Sequence, residues 1–291
     1  MNSITIDKNL ASSLWNYYID HGIITAEGNI YLNPLDKKQV LKIFHRQNGL
    51  YFSNKLYTIN SLLDIKETID IDEIIFPDQL LILDDKVVGY SMPFINGPTL
   101  DKVLNQPEID ITTKINYLKQ IGTILRKLEE IQKENPSLNL HLNDLHEKNL
   151  IINPEQKTLQ VIDIDSCRIY ENHPFVSKYL SNISALNEFP KKYNNKIKLS
   201  CGGRFIPDAN TDIYCYIIII LNFLYQGNIQ NLTIDEYFNY LTYLKDINAT
   251  QELIDNLALI YSDKDNQNID YLLDTIPTFY SKANKRCYSP K

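Results

Sequence analysis

The run His141-Leu-Asn-Asp144-Leu-His146-Glu-Lys-Asn149, followed by Val161-Ile-Asp163-Ile-Asp165, carries the most chemical information in the chain. An aspartate and an asparagine stand five residues apart just ahead of an apolar segment, Leu150-Ile-Ile152. A second apolar segment, Leu159-Gln-Val-Ile162, leads into another aspartate, and Asn153-Pro154 between the two is a turn signal. The unit reads as loop, strand, turn, strand. Folded back on itself, it brings Asp144, Asn149 and Asp163 to one end of a hairpin. Such a trio suits phosphoryl transfer. Mg2+ takes hard oxygen ligands, and phosphates supply those the protein does not. A further carboxylate, off the metal, accepts the proton of the attacking hydroxyl. Asp144 is then the base, and Asn149 and Asp163 are metal ligands. Asp and Asn abound in turns, so the D-x-x-x-x-N spacing is weak alone. The apolar strand ending in Asp163 makes it more specific.

Upstream, the text divides into short strands and one helix. Asn29-Ile-Tyr-Leu32 and Gln39-Val-Leu-Lys-Ile-Phe44 flank the turn residues Asn33-Pro-Leu-Asp36 and read as a hairpin. Leu56, Ile59, Leu62 and Leu63 recur at helical spacing within 51–67. Leu80–Leu83 and Val87–Met92 form a second hairpin about Asp84-Asp85. The segment before residue 24 is helical in part, around Leu10 to Ile19. Downstream the pattern is helical: 99–104, 111–134, 213–224, 234–245, 250–261 and 269–275. Residues 165–210 are weakly patterned. The chain is thus α+β, with a small strand-rich N-terminal part and a larger helical C-terminal part. The boundary lies near Ile95 to Gly97.

Composition bounds the function. At 291 residues and 44% hydrophobic, the chain suits one large domain or two packed lobes. Its net charge of −7 disfavours broad nucleic-acid binding. The basic tail from Lys282 to Lys291 reads as a solvated terminus. The longest apolar run, Ile213 to Leu224, is twelve residues, against the roughly twenty that span a bilayer. It reads as a buried helix, and no membrane association is expected. Cys167, Cys201, Cys215 and Cys287 show no C-x-x-C spacing, and Met1 to Leu10 lacks an apolar signal region. Reduced thiols and a cytoplasmic location are the expectation. Nine glycines make about 3% of the chain, against an average of about 7%.

In its ordered motifs the chain resembles the protein-kinase-like superfamily, in the manner of a bacterial-type or atypical serine/threonine kinase. Asp144-Leu-His-Glu-Lys-Asn149 matches the D-L-x-x-x-N of the catalytic loop. Val161-Ile-Asp163-Ile-Asp165 is similar to the strand leading into D-F-G. Thr211-Asp212-Ile-Tyr214 opens the all-apolar helix, and the resemblance makes Asp212 an anchor for the catalytic-loop backbone. Val40-Leu-Lys42-Ile resembles the strand that carries the ATP-binding lysine. Met92-Pro-Phe94-Ile95-Asn-Gly-Pro-Thr-Leu100 resembles the interlobe hinge, whose backbone hydrogen-bonds adenine. The resemblance covers roughly residues 25 to 275. It implies a bilobal fold, with a small antiparallel-sheet N-lobe over 1–95 and a helical C-lobe over 96–291. It further implies ATP with Mg2+ or Mn2+ as cofactors, a protein hydroxyl as acceptor, and a monomer or weak dimer. The nucleotide-binding residues would be Gly28, Ile30, Lys42, Met92, Phe94 and Ile95. Lys42, Asp144 and His146 would be catalytic, and Asn149, Asp163 and Asp165 would face the metal.

The chain departs from the family pattern in several places. G-x-G-x-x-G is absent, and Gly28 alone precedes its strand. Leu142 and Asn143 replace the His-Arg pair, which removes a reader of activation-loop phosphate. His141 then reads as a packed or capped histidine. His146 stands where serine/threonine kinases usually carry lysine, and could donate to the γ-phosphate. Asp165 replaces the D-F-G glycine, either as a second acidic ligand or as a cap on the following turn. Residues 51–66 contain no glutamate to pair with Lys42, so Glu67 or Asp64 is the candidate partner. Two other readings follow from the same residues. One is a partner- or nucleotide-binding pseudokinase without turnover. The other is a small-molecule kinase of the aminoglycoside or choline type.

Overall fold

A computed structural model describes residues 3–19, 27–172, 198–199, 205–206, 209–246, 249–251 and 254. The fold is α+β, with a small, mostly antiparallel sheet and a set of helices. The sheet contains β1 (Ser3–Thr5), β2 (Gly28–Leu32), β3 (Gln39–Phe44), β4 (Gln79–Leu83) and β5 (Lys86–Pro93). Their order is β1-β4-β5-β3-β2, with β1 parallel to β4 and the other pairs antiparallel.

Both expected hairpins form, and their turns explain why. In the first, the Asn33 side chain accepts the Leu35 amide at 3.0 Å and Asp36 accepts that of Lys38 at 3.0 Å. In the second, Asp84 and Asp85 both take positive φ, 50° and 60°, which matches the twist of a two-residue hairpin. Strand β1 was not read from the sequence. Three residues pairing in parallel with a strand more than seventy positions away leave no local signature. The N-terminal helix is shorter than expected: α1 (Lys8–Ser13) starts where Asp7 caps the Leu10 amide, and a 3-10 turn, Leu14–Tyr17, follows.

The sheet is buried on both faces, which explains why residues 40–44 do not alternate apolar with polar. Ile30, Val40, Phe44, Leu80, Tyr90 and Met92 pack on one face with Phe52 and Ile59 of α2 (Gly49–Ile65). Tyr31, Leu41, Leu81 and Val88 pack on the other face with Ile6 and Leu14. Because side chains alternate along a strand, Lys42 shares the α2 face with Val40 and Phe44.

A larger apolar cluster joins α3 (Leu100–Asn105), α4 (Ile111–Glu134), α5 (Ala209–Tyr225), α6 (Ile234–Asp246) and the hairpin β6 (Leu150–Asn153) with β7 (Thr158–Val161). Asp110 caps α4 by accepting the Thr113 amide at 2.9 Å. Cys215 to Leu221 are buried without interruption, so α5 is apolar all round because neighbours surround it. It begins four residues before the expected start, taking in Thr211 and Asp212. Tyr216 ties it to α4 by donating to the Leu118 carbonyl at 2.9 Å. The β6–β7 hairpin is stitched to chain on both sides. Ile75 donates to the Val161 carbonyl at 2.9 Å, and Ile152 donates to the Pro98 carbonyl at 2.9 Å. Two more antiparallel strands, β8 (Lys198–Leu199) and β9 (Phe205–Ile206), lie within the weakly patterned stretch, most of which is outside the described residues. So are the helix expected at 269–275, most of that at 250–261, and the basic tail. Cys167 and Cys215 are buried free thiols. Among the described residues no helix is long and apolar enough to cross a membrane.

Candidate functional site

The β6–β7 register brings the first set of residues together. Leu150 pairs with Val161, and one step outward Ile162 donates to the Asn149 carbonyl at 2.9 Å. Asn149 and Asp163 therefore leave the same end of the hairpin. The Asn149 side-chain amide donates to the Asp144 carbonyl at 3.0 Å and approaches its carboxylate at 3.4 Å. Asn149 Oδ1 is then the atom it can offer a cation. The Asp144 side chain keeps 24% exposure, which a group that meets a substrate requires.

The loop carrying Asp144 is held from below. Buried Asp212, in the first turn of α5, accepts the Leu142 amide at 2.9 Å and the Asn143 amide at 2.8 Å. Asn143 takes a positive φ of 60° and donates its side-chain amide to the Ser166 carbonyl at 2.8 Å. The loop is thereby tied to the segment after β7. Leu142 and Asn143 are thus gripped through their backbone amides. His141 is buried, pairs through its backbone with Arg168, and lies 3.9 Å from Asp212. His146 Nδ1 accepts the Lys148 amide at 3.2 Å, while Nε2 lies 3.8 Å from the Asp144 carboxylate.

A second set forms a charged cluster. Lys42, fully buried on β3, donates to the Asp163 carboxylate and, at 2.7 Å, to that of Asp165. Lys55 of α2 donates to the other Asp165 oxygen at 2.6 Å, to Glu27 at 2.7 Å and to the Ser166 hydroxyl. The Tyr90 hydroxyl lies 3.2 Å from Asp165. Asp163 sits in the left-handed region at φ 60°, ψ 44°, a backbone that side chains adopt at a cost and that gathers at functional sites.

Electrostatics differentiate these groups. Burial by itself would strip the proton from Lys42, but the charges of Asp163 and Asp165 prevail and raise its pKa well above the ordinary value. For Asp165 burial works upward, yet two ammonium groups hold its carboxyl well below the usual range. Asp163 is pushed up to about 6, first by burial and then, against the pull of Lys42, by the negative charges of Asp165 and Glu27.

Two expectations need correction. Asp165 does not offer a ligand to a metal, because its side chain has no exposure and both carboxylate oxygens are taken by ammonium groups. Lys42 does not pair with Glu67 or Asp64. Glu67 is 84% exposed beside Lys66, and Asp64 is exposed. Instead, α2 contributes a cation, Lys55, and the loop after β7 contributes the anion. Neither Lys55 nor Glu27 was found from sequence. A signal existed for Lys55: Phe52, Lys55, Ile59 and Leu62 share the buried helical stripe, where an unpaired lysine is out of place.

The remaining expected nucleotide-binding residues line the nearby strands. Across the first hairpin Gly28 pairs with Phe44 and Ile30 with Lys42. Met92 pairs with Val40 and is buried, and Phe94, Ile95 and Ile162 pack against the same apolar cluster. The Phe94 amide already donates to the Lys38 carbonyl at 2.7 Å, so Phe94 offers its side chain rather than its N–H. Gly97 is where the chain crosses β6, and a Cβ there would lie 1.8 Å from the Ile152 carbonyl oxygen. Among the described residues no three His, Cys, Asp or Glu side chains form a metal cage. No protein-family model matches the chain, and no curated protein matches it significantly.

Proposed function

We propose that this chain is an ATP- and Mg2+-dependent phosphotransferase of protein-kinase-like, bilobal architecture, acting on a serine or threonine hydroxyl of a protein. The observation that carries this reading is the meeting of Lys42 with Asp163, 121 residues apart in sequence, beside the Asp144–Asn149 loop. A scaffold has no physical need for a buried lysine, a hard-oxygen pair and a partly exposed carboxylate at one place.

The residues fit the cofactors. Asn149 Oδ1 and the Asp163 carboxylate are a hard donor pair of the kind Mg2+ takes when phosphates complete its shell. Ile30, Val40, Met92, Phe94, Ile95 and Ile162 belong to one apolar cluster, and its partly buried members Phe94, Ile95 and Ile162 would be the side chains offered to an adenine ring. When bound, Mg·ATP supplies the transferable phosphoryl group and neutralises its oxygens. Lys42 would hold phosphate oxygens with a charge that its surroundings keep permanently protonated. Asp144 would take the acceptor's hydroxyl proton on its exposed carboxylate, oriented by Asn149. Asp212 would keep the loop backbone fixed while that proton moves. His146 Nε2 would sit beside the Asp144 carboxylate and orient it. Asp165 would aim Lys42 rather than bind metal.

One observation favours a second reading, nucleotide binding without turnover: the cations of the site are already neutralised by carboxylates. Incubation with γ-labelled ATP and Mg2+ or Mn2+, with a generic protein acceptor, separates the two. Label on the acceptor or on the chain itself, lost in Asp144→Asn by about 100-fold or more, is expected of the phosphotransferase. Equal label in both proteins would overturn it. A nucleotide-induced rise in Tm without any transfer would establish the second reading.

A further inference from the structure

Three carboxylates, Glu27, Asp163 and Asp165, surround two ammonium groups, Lys42 and Lys55. Without Glu27 the cluster balances, two against two. Glu27 is therefore the surplus anion. It is also the member able to leave. Asp165 has no exposed side-chain surface and Lys42 and Lys55 have 1% and 5%; Asp163 has 21% and Glu27, the most open, 32%. Asp165 is fixed through both its oxygens, and Asp163 is fixed by its place in a tight turn. Glu27 immediately precedes β2, and its side chain is partly open to solvent. Its carboxylate lies 2.7 Å from Lys55 and 3.7 Å from Lys42 and accepts the Tyr51 hydroxyl. Two ammonium groups and a hydroxyl converging on one solvent-side anion is the arrangement a phosphate oxygen also satisfies.

We propose that Glu27 is a displaceable stand-in for a phosphate group, and that the polyphosphate of a nucleotide takes its place against Lys55 as well as Lys42. This rests on the nucleotide-binding reading above and adds a second lysine to it. Helix α2 supplies a phosphate-binding cation, where the resemblance implied an acidic partner for Lys42. Binding exchanges one anion for another, so Lys42 and Lys55 are never left without an anionic partner. The cost is the release of Glu27, which lowers affinity for the incoming phosphate.

The consequence is unusual, because removing a charged side chain should tighten binding. Calorimetric titration of the full chain with Mg·ATP, and separately with inorganic tripolyphosphate, tests it. Glu27→Gln keeps the shape and removes the competing charge. Its affinity for both ligands should rise on the order of tenfold. Lys55→Met should lower affinity for both, and in the double variant the gain from Glu27→Gln should shrink. Circular dichroism and thermal melts establish that each variant folds. If Lys55→Met does not fold, Glu27→Gln alone decides. If Mg·ATP binds the wild type but Glu27→Gln leaves its affinity unchanged or lower, the stand-in role is overturned and the nucleotide-binding reading survives. If neither protein binds Mg·ATP, both fall.

Discussion

Asp165 illustrates how one residue can be read correctly in place and wrongly in role. At the place of the D-F-G glycine it reads either as a second acidic ligand or as a cap on the following turn. Its surroundings make it the counterion of two lysines. Its folded pKa lies below the ordinary carboxylate value, so its contribution to stability is complete above about pH 4 and is lost as pH falls further. Asp165→Asn should therefore lower Tm substantially at pH 7, and the gap from wild type should narrow below about pH 4. A gap independent of pH would contradict the ion-pair role. Asp212 works through backbone hydrogen bonds, as the resemblance implied. Asp212→Ala strands two buried amide donors and should cost about 1–3 kcal/mol for each in urea denaturation, with Asp212→Asn recovering part. Wild-type stability in Asp212→Ala would mean the loop is held by something else.

Among elements, the local ones were the most legible. Both hairpins of the sheet, α4 and the buried character of α5 follow from periodicity and turn residues within a few positions. So do the D-x-x-x-x-N loop and the strand that leads to Asp163, because a hairpin register converts sequence spacing directly into proximity. Strand β1 and the Lys55–Asp165–Glu27 contacts were not legible, since they join segments far apart in sequence. The charge reversal on α2 was hidden for another reason. The buried stripe was visible, but the sign of its polar member depends on what the opposing loop supplies. The glycine shortage also gains meaning at this scale. Gly97 is retained where the chain after β5 crosses β6 with no room for a side chain. Gly97→Ala should push the two backbones apart and cost on the order of 1–3 kcal/mol. It should also speed amide exchange at Ile152, whose N–H bonds the Pro98 carbonyl. Unchanged exchange at Ile152 would show that the crossing relaxes without loss.

At the scale of the molecule, the sheet and the helical cluster meet at the β6–β7 hairpin. Chain before β4 and after β5 is hydrogen-bonded to its two edges. This seam is where Lys42 from the sheet reaches Asp163 from the hairpin. A nucleotide and metal site at that meeting is the central claim. The most direct measurement is a crystal structure with a non-hydrolysable ATP analogue and Mn2+, using anomalous scattering to locate the metal. The account predicts a Mn2+ peak at roughly 2 Å from Asn149 Oδ1 and the Asp163 carboxylate, with phosphate oxygens on Lys42. Nucleotide bound elsewhere, or metal that touches neither Asn149 nor Asp163, would contradict it.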